Sequence, residues 1–302
     1  AREAARRTQC INNQKNLGIG LSSYATNNNG LPGYLNQLGK YADGTTPRIL
    51  SWVVAVFPEI EENKRYEFLT KDTLVSTEVA QAIESSPPVL ICPSAYLQQH
   101  SDNTPILSYV VNCGPETHSG NGINGDVTPT FTLFKDRRGT LTSINKKVKL
   151  DEIVDGTSYT ILLSENMQAW TWYHTDTDIT LCDELPTTAA SPISTRLLSA
   201  VASLGFVWSN QPSSTAFYSK INTPLEDPLT AQPPNMAKAR PSSKHPGIVV
   251  ALYGDGSAKT INDDCGLGPY LSAVCPNDTK ASQTVSDGGL GYDADDFRKP
   301  TW

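Results

Sequence analysis

The first 24 residues, AREAARRTQCINNQKNLGIGLSSY, predict the element on which the rest of the fold is built. Alanine and arginine, both strong helix formers, dominate the first turns. Apolar and amide side chains then recur at spacings of four and three residues, which places them on one face of an α-helix. These residues are Cys10, Gln14, Leu17, Leu21 and Tyr24. Asparagines at 27–29, then Gly30 and Pro32, end the pattern, so we expect one helix over residues 2–28.

Short apolar runs, separated by turn residues, predict strands in the remainder of the chain. The 21 Pro and 21 Gly residues favour many short elements over long helices. The predicted strands are 89–94, 107–114, 130–134, 159–164, 205–208, 248–253 and 257–261. Gly254-Asp255-Gly256 joins the last two and is a strong hairpin signal. The sequence therefore predicts an α+β chain with a helical segment, 1–28, and one elaborated β-rich head, 29–302.

The charge is unevenly distributed. The chain has 302 residues and a net charge of −7, yet residues 1–15 carry four cations against Glu3 alone, which leaves −10 for the rest. An acidic body argues against a nucleic-acid partner, which would need a broad basic face. The basic start fits a segment lying against anionic headgroups or an acidic neighbour. It equally fits an ordinary solvated helix in which Glu3 and Arg7 pair one turn apart.

Six cysteines without a Cys-x-x-Cys motif indicate disulfides formed in an oxidising compartment. Cys265 and Cys275 flank a Gly/Pro-rich segment and are predicted to pair locally. Cys10 lies on the first helix and needs a partner in the head, for which we choose Cys92. No run of 18 apolar residues occurs. Because the helical pattern starts abruptly at Ala1, we expect an apolar segment to precede it in the native protein.

Four internal segments, together with the N-terminal helix, carry a family resemblance. They are Val89–Ser94 with its Cys-Pro-Ser step, Ser108–Gly114 with Tyr-x-x-Asn-x-Gly, Ile153–Glu165 with Asp-Gly-Thr-Ser, and Ser242–Ile261 with His-x9-Asp-Gly. In this order they resemble the bacterial prepilin-type proteins, of the type IV pilin and pseudopilin kind, whose C-terminal His-x9-Asp-Gly domain has no known function. The matches span nearly the whole chain.

The resemblance implies a pilin-like fold, in which a long N-terminal helix packs on an antiparallel sheet beneath an enlarged head. It implies a non-enzymatic subunit of a type IV pilus or a type II secretion-like filament, anchored in the membrane by the preceding apolar helix. The expected partners are other pilin-like subunits and the inner-membrane assembly machinery. The expected location is the cell envelope, periplasmic or at the cell surface. The motif residues, to which we assign structural roles, are His245, Asp255, Gly256, Asp155, Gly156 and Glu165.

Catalytic motifs are sparse. His245 and Asp255 invite an active-site interpretation, but the predicted strand between them holds them roughly 25–30 Å apart. The sequence contains no Gly-x-Ser-x-Gly, His-Glu-x-x-His or P-loop pattern. An enzyme built on Asp and Glu alone stays open, although no spacing supports it. We therefore expect a protein that is not an enzyme.

Three candidate binding sites remain. Four aspartates on a Gly-rich stretch supply oxygen ligands for calcium: Asp287, Asp293, Asp295 and Asp296. Asp263 and Asp264 are a second calcium candidate, and a solvated acidic loop without an ion is the commoner explanation of either group. An aromatic group, Trp170, Trp172 and Tyr173, is a candidate ligand platform or a piece of the core. The platform supports an alternative function, a surface module that binds a glycan or another extracellular polymer.

Overall fold

Helix α1 (Arg2–Asn27) packs against a five-stranded sheet and contacts its last two strands. The computed structural model describes residues 2–40, 47–71, 83, 85–95, 106–115, 136–137, 147–167, 169, 171–173, 204–208, 221–222 and 240–282. All five residues of the predicted apolar face of α1 are buried. The spacing of these residues in the sequence predicted both the helix and the face that it buries, and the structure confirms both.

The remaining elements are short. The strands are β1 (Leu35–Lys40), β2 (Pro47–Ser51), β3 (Tyr109–Pro115), β4 (Asp136–Arg137), β5 (Ile161–Glu165), β6 (Gly205–Trp208), β7 (Ile248–Tyr253) and β8 (Ala258–Asn262). The helices after α1 are α2 (Trp52–Val56), α3 (Asn63–Thr70), α4 (Leu267–Val274) and α5 (Asp278–Ala281). Single 3₁₀ turns occupy Phe57–Ile60, Pro88–Leu90 and Leu150–Glu152.

The main sheet has the strand order β6-β3-β5-β7-β8. Its pairs are antiparallel except at one edge, where β3 and β6 run parallel. A smaller sheet has the order β2-β1-β4, with β1 antiparallel to β2 and parallel to β4. The predicted α+β, pilin-like arrangement of a long helix on an antiparallel sheet is therefore confirmed, with a parallel pair added at each sheet.

Close approach of α1 to β7 depends on a glycine. A Cβ atom on Gly18 would lie 2.8 Å from Cδ1 of Leu252, tighter than side chains in real structures approach. Four residues earlier, Gln14 Nε2 donates a hydrogen bond to the main-chain oxygen of Val250 at 2.9 Å. The helix is thus held to β7, the first strand of the β7–β8 hairpin, by packing and by a buried polar contact.

The hairpin β7–β8 forms as predicted. Its strands pair from Ile248 with Asn262 to Leu252 with Ala258, and the intervening turn contains Gly256 at φ +81°. A positive φ favours glycine, which explains why this residue follows Asp255. The two predictions made from apolar periodicity, α1 and this hairpin, supply the helix and the strand that pack on each other.

Two local predictions are wrong. Residues 89–94 form a 3₁₀ turn and an irregular segment instead of a strand, since the prolines at 87, 88 and 93 offer no amide donors for a sheet. Cys265 and Cys275 are separate thiols instead of a disulfide pair. The residues between them form α4, whose rise separates the two positions by about 15 Å, beyond the span of a disulfide. None of the described helices combines the length and apolarity needed to cross a membrane.

Candidate functional site

One residue of α1 meets three residues from separate segments of the head. Cys10 belongs to α1, Cys92 follows the 3₁₀ turn at 88–90, Glu165 ends β5, and His245 precedes β7. Each has at most 2% of its surface exposed. One sulfur, nitrogen or oxygen atom from each lies within 4.8 Å of the corresponding atom of every other. We call these four residues the buried cluster.

A disulfide joins Cys10 to Cys92, as predicted, with their Cα atoms 5.3 Å apart. It links α1 to a segment 82 residues further along the chain. One turn along the helix, Asn13 donates a hydrogen bond to the main-chain oxygen of Ile91 at 2.9 Å. The covalent bond and the amide contact hold the same stretch of α1 to the same stretch of the head.

Glu165 orders the end of the main sheet. Its Oε2 accepts a hydrogen bond from the amide of Val250 at 2.8 Å, and its main-chain oxygen accepts one from Ser242 at 2.9 Å. The side chain therefore binds an amide of β7 at the point where β5 ends. Its second oxygen, Oε1, lies 3.3 Å from Nε2 of His245. This carboxylate is 2% exposed, so its two partners offset a large desolvation cost.

His245 lies between two carboxylates. Its Nδ1 is 2.5 Å from Oε1 of Glu3, in the first turn of α1, and its Nε2 faces Glu165 and lies 3.5 Å from Sγ of Cys92. Ser94 donates a hydrogen bond to Glu3 at 3.1 Å and lies 3.5 Å from Nδ1 of the imidazole. The imidazole ring therefore connects the start of α1 to the end of β5.

The charged forms of His245 and Glu3 stabilise each other. Burial alone lowers the pKa of His245, but the hydrogen bond and the charge of Glu165, and then those of Glu3, outweigh burial and raise it above 6.5. Burial likewise raises the pKa of Glu3, but the hydrogen bonds to His245 and Ser94 and the charges of His245 and Arg6 bring it below 4.5. Both shifts favour an imidazolium paired with carboxylates.

Serine, histidine and glutamate together are also the residue types of an acyl-transfer triad. Here the Ser94 hydroxyl donates to Glu3, and Glu3 is closer to Nδ1 of His245 than Ser94 is. The imidazole is thus engaged by carboxylates on both nitrogens, and the serine is buried at 8% exposure. The geometry favours a cluster that positions α1 over one that activates a nucleophile.

A protein-family model assigns the chain to a family. It matches residues 1–268 and is described as a protein of unknown function, DUF1559. The chain belongs to this family. Neither a curated protein nor a solved structure matches the chain. All four residues of the buried cluster lie within the DUF1559 region.

The other end of the DUF1559 chain's His-x9-Asp-Gly motif forms the hairpin turn. Asp255 Oδ1 accepts hydrogen bonds from the amide and the hydroxyl of Ser257, at 2.8 and 2.6 Å. Burial raises the pKa of Asp255, but these bonds outweigh it and hold the pKa below 3.8. Asp255 and His245 lie at opposite ends of β7, as predicted, and each stabilises its own end of the strand.

Asp155 and Gly156, from the Asp-Gly-Thr-Ser motif, stabilise the turn before β5. Asp155 Oδ2 accepts a hydrogen bond from the amide of Asp278 at 2.6 Å, which ties the turn before β5 to the start of α5. Gly156 adopts φ +99° in that turn, a conformation that favours glycine. The motif therefore positions the strand that ends at Glu165.

The structure corrects the candidate ligand platform. Trp172 has no exposed surface, its ring meets that of Phe57 at 5.3 Å edge to face, and its Nε1 donates to Ser86 at 3.1 Å. Tyr173 is also buried, and Trp170 lies outside the described residues. Large aromatic side chains with a satisfied indole N–H belong to the core here, so Trp172 offers no face to a sugar.

The calcium candidates stay predictions. Asp287, Asp293, Asp295 and Asp296 lie outside the described residues. Asp263 and Asp264 follow β8 and are exposed, and the amide of Asp263 donates to the main-chain oxygen of Gly247 at 3.0 Å.

Glu3 is the site residue that sequence reasoning missed. The spacing allows a pair with Arg7, but the carboxylate lies 3.7 Å from Arg6 and binds His245 at the other end of the chain. The available signal was its isolation, because it is the only acidic residue in the basic first 15.

Proposed function

We propose that this DUF1559 protein is a non-enzymatic, pilin-like subunit of the bacterial cell envelope, held at the membrane by an apolar helix that continues α1 on its N-terminal side. The observation that carries the proposal is the unequal burial of α1. None of residues 2–9 is buried, whereas nine residues between Cys10 and Ala25 are. These first two turns, about 12 Å of helix that we call the stalk, lie at the edge of the head: Glu3 contacts it through His245, and the other side chains are at least partly exposed.

The charge of the stalk supports the same proposal. Arg2, Arg6 and Arg7 lie on turns that are not buried, while the one carboxylate, Glu3, faces the head and binds His245. Basic residues beside a membrane-spanning helix are attracted to anionic headgroups. A stalk of this composition suits the position between a membrane anchor and a head outside it.

The attachment of α1 supports a role in a repeating assembly. A helical filament repeats one heterologous contact, so every subunit must present its surfaces at the same angle. Here a disulfide, the Gln14 hydrogen bond and the carboxylate–imidazole contacts fix the angle between α1 and the head. Buried polar contacts of defined geometry specify such an angle better than apolar packing does.

N-terminal mass spectrometry of the native protein tests the anchor. We expect the protein in the membrane and shear-released surface fractions, with a processed apolar N-terminal helix before the residue numbered 1 here. An ordinary signal-peptidase end at or near that residue, in protein that alkaline extraction releases entirely, contradicts the proposal.

Photo-crosslinking tests the assembly separately. Ile19, on α1, and Val154, in the turn before β5, are apolar side chains with the same exposed fraction, 67%. A photoreactive residue in place of Ile19 should yield a ladder of self-crosslinked products in cells, because the exposed face of α1 is where neighbouring subunits pack. The same residue in place of Val154 is the matched control. Equal products from both positions, or none from Ile19, contradict packing through α1.

The alternative of a glycan-binding surface module is weakened by the burial of Trp172. A broad glycan panel with the native protein addresses it directly. Binding that depends on an exposed surface of the head would move the binding module ahead of the filament subunit.

A further inference from the structure

The buried cluster contains the donor set of a metal site. Two sulfurs, one imidazole nitrogen and one carboxylate oxygen lie within 4.8 Å of one another, all on buried residues. Thiolate and imidazole are the ligands that zinc prefers, and a carboxylate completes many of its sites. In the structure the two sulfurs are joined as a disulfide, so this donor set becomes available only when that bond is reduced.

The measured separations match tetrahedral zinc. With ordinary bond lengths, a tetrahedral ion places sulfur and nitrogen ligands about 3.6 Å apart and nitrogen and oxygen ligands about 3.4 Å apart. Nε2 of His245 lies 3.5 Å from Sγ of Cys92 and 3.3 Å from Oε1 of Glu165. Nε2 of His245 therefore already stands at ligand-to-ligand distances from two of the other three donors, and those two lie within 4.8 Å of each other. The fourth donor is the sulfur of Cys10. In a tetrahedral site the two sulfurs would lie about 3.8 Å apart, a separation that breaking the S–S bond permits.

The surrounding contacts orient these donors. Glu3 faces Nδ1 of His245 and favours a proton there, so the proton lost on metal binding is the one on Nε2, whose lone pair then points towards the other donors. Metal-bound histidines usually have such a carboxylate partner. The amide of Val250 holds Oε2 of Glu165 at 2.8 Å, which leaves Oε1 on the side of the imidazole. The site thus has its outer contacts as well as its ligands.

We propose that the buried cluster, once its disulfide is reduced, binds one Zn²⁺ ion through two thiolates, the imidazole and the carboxylate. A dithiol supplies the two electrons and two protons that convert the disulfide to two thiols, and leaves as its own disulfide. Zinc then replaces the two thiol protons and the Nε2 proton of the imidazolium, and all three are released to solvent. The disulfide and the metal are mutually exclusive, and either one fastens α1 to the head.

Comparison of the two redox forms of one protein tests the proposal. The full chain is reduced with a dithiol, the dithiol is removed anaerobically, and Zn²⁺ is titrated in competition with a chromophoric chelator. We expect one tightly bound Zn²⁺ per reduced chain, and affinity lower by at least about 100-fold in the oxidised chain, which lacks both thiolates. Equal affinity of the two forms overturns the proposal.

Substituting Co²⁺ for Zn²⁺ identifies the ligands. Thiolate-to-cobalt charge-transfer absorption and intense visible bands are expected from the reduced wild type and from C265S/C275S, which keeps the cluster. They should be lost from Cys92→Ser, with circular dichroism as the folding control. Glu3→Gln, which keeps every ligand, should weaken Zn²⁺ by about 10- to 100-fold. Bands that persist in Cys92→Ser, or that disappear in C265S/C275S, place the metal elsewhere and overturn the proposal.

The metal site stands apart from the proposed envelope function. Its test uses purified protein and reads metal affinity and spectra, whereas the anchor and assembly tests use native fractions and cells. Failure of either therefore leaves the other in place.

Discussion

Removal of the Cys10–Cys92 disulfide should strongly destabilise the protein. The bond closes a loop between residues 82 positions apart. Cross-linking a loop of this length lowers the entropy of the unfolded chain enough to stabilise the fold by about 4.5 kcal/mol. The double variant C10A/C92A should lose about this free energy of unfolding, and the removal of two buried sulfurs should add to the loss.

Chemical denaturation followed by circular dichroism measures the loss, with chelator present in every sample so that no metal replaces the disulfide. Cys275→Ala is the matched control, because it removes a buried sulfur that belongs to no disulfide and should cost about 1 kcal/mol. Reduced wild-type protein should behave like the double variant. If C10A/C92A loses no more free energy than Cys275→Ala, the disulfide does not carry the attachment of α1, and our account of the buried cluster fails.

Three further predictions address packing, buried hydrogen bonds and pH. Gly18→Leu should cost about 1–3 kcal/mol in denaturation experiments, since its Cβ would meet Leu252 at 2.8 Å and force α1 from β7. Asn112→Leu should cost about 2–4 kcal/mol in the same assay, because its amide donates to two buried carbonyls, at 2.9 and 2.8 Å, which would lose their partner. For the oxidised protein, the raised pKa of His245 contributes stability that is complete below pH 6.5 and is lost as pH rises through the folded-state value. The lowered pKa of Glu3 contributes stability that is present above pH 4.5 and is lost as pH falls through its folded-state value, so thermal denaturation should show a maximum of this contribution between the two. His245→Gln should abolish the alkaline decline, and an unchanged decline in that variant contradicts the assignment.

Local periodicity explains why much of the fold could be predicted. The face of α1 repeats every three to four residues, and β7 and β8 are apolar runs around a turn that needs glycine. Both signals are complete within about 25 residues of chain, so they do not depend on what the rest of the molecule does. The strands β3, β5 and β6 followed from equally local patterns.

Proline and glycine misled the prediction where their position in an element matters. Gly266 and Pro269 suggested a loop between Cys265 and Cys275, yet they stand at the cap and in the first turn of α4. Proline is tolerated in a first turn because the amides there have no helical acceptor. The same residues in the middle of α4 would have broken it, so composition alone could not decide between loop and helix.

The buried cluster could be predicted only in part. Motif resemblance selected Cys92, Glu165 and His245, and the need to fasten the first helix selected Cys10 as a disulfide partner. Their convergence depends on the order of the main sheet, which places the end of β5 beside the start of β7. The contact of Glu3 could not be predicted, because its partner His245 lies 242 residues away and no local sequence pattern indicates such a contact.

The composition of the cluster itself argues for a role in orientation. A buried pair such as Glu165 and His245 stabilises a protein little more than apolar side chains of the same volume would, because both partners must be removed from water. What they add is directional: Glu165 accepts a hydrogen bond from an amide of β7 and faces Nε2 of His245, while Nδ1 of His245 faces Glu3 in the first turn of α1. A helix held by apolar packing alone could rotate or slide by a turn at small cost, whereas here either movement would leave a buried charge without its partner. The polar cluster therefore sets the direction in which the stalk leaves the head, which is the property that an anchored, repeating subunit requires.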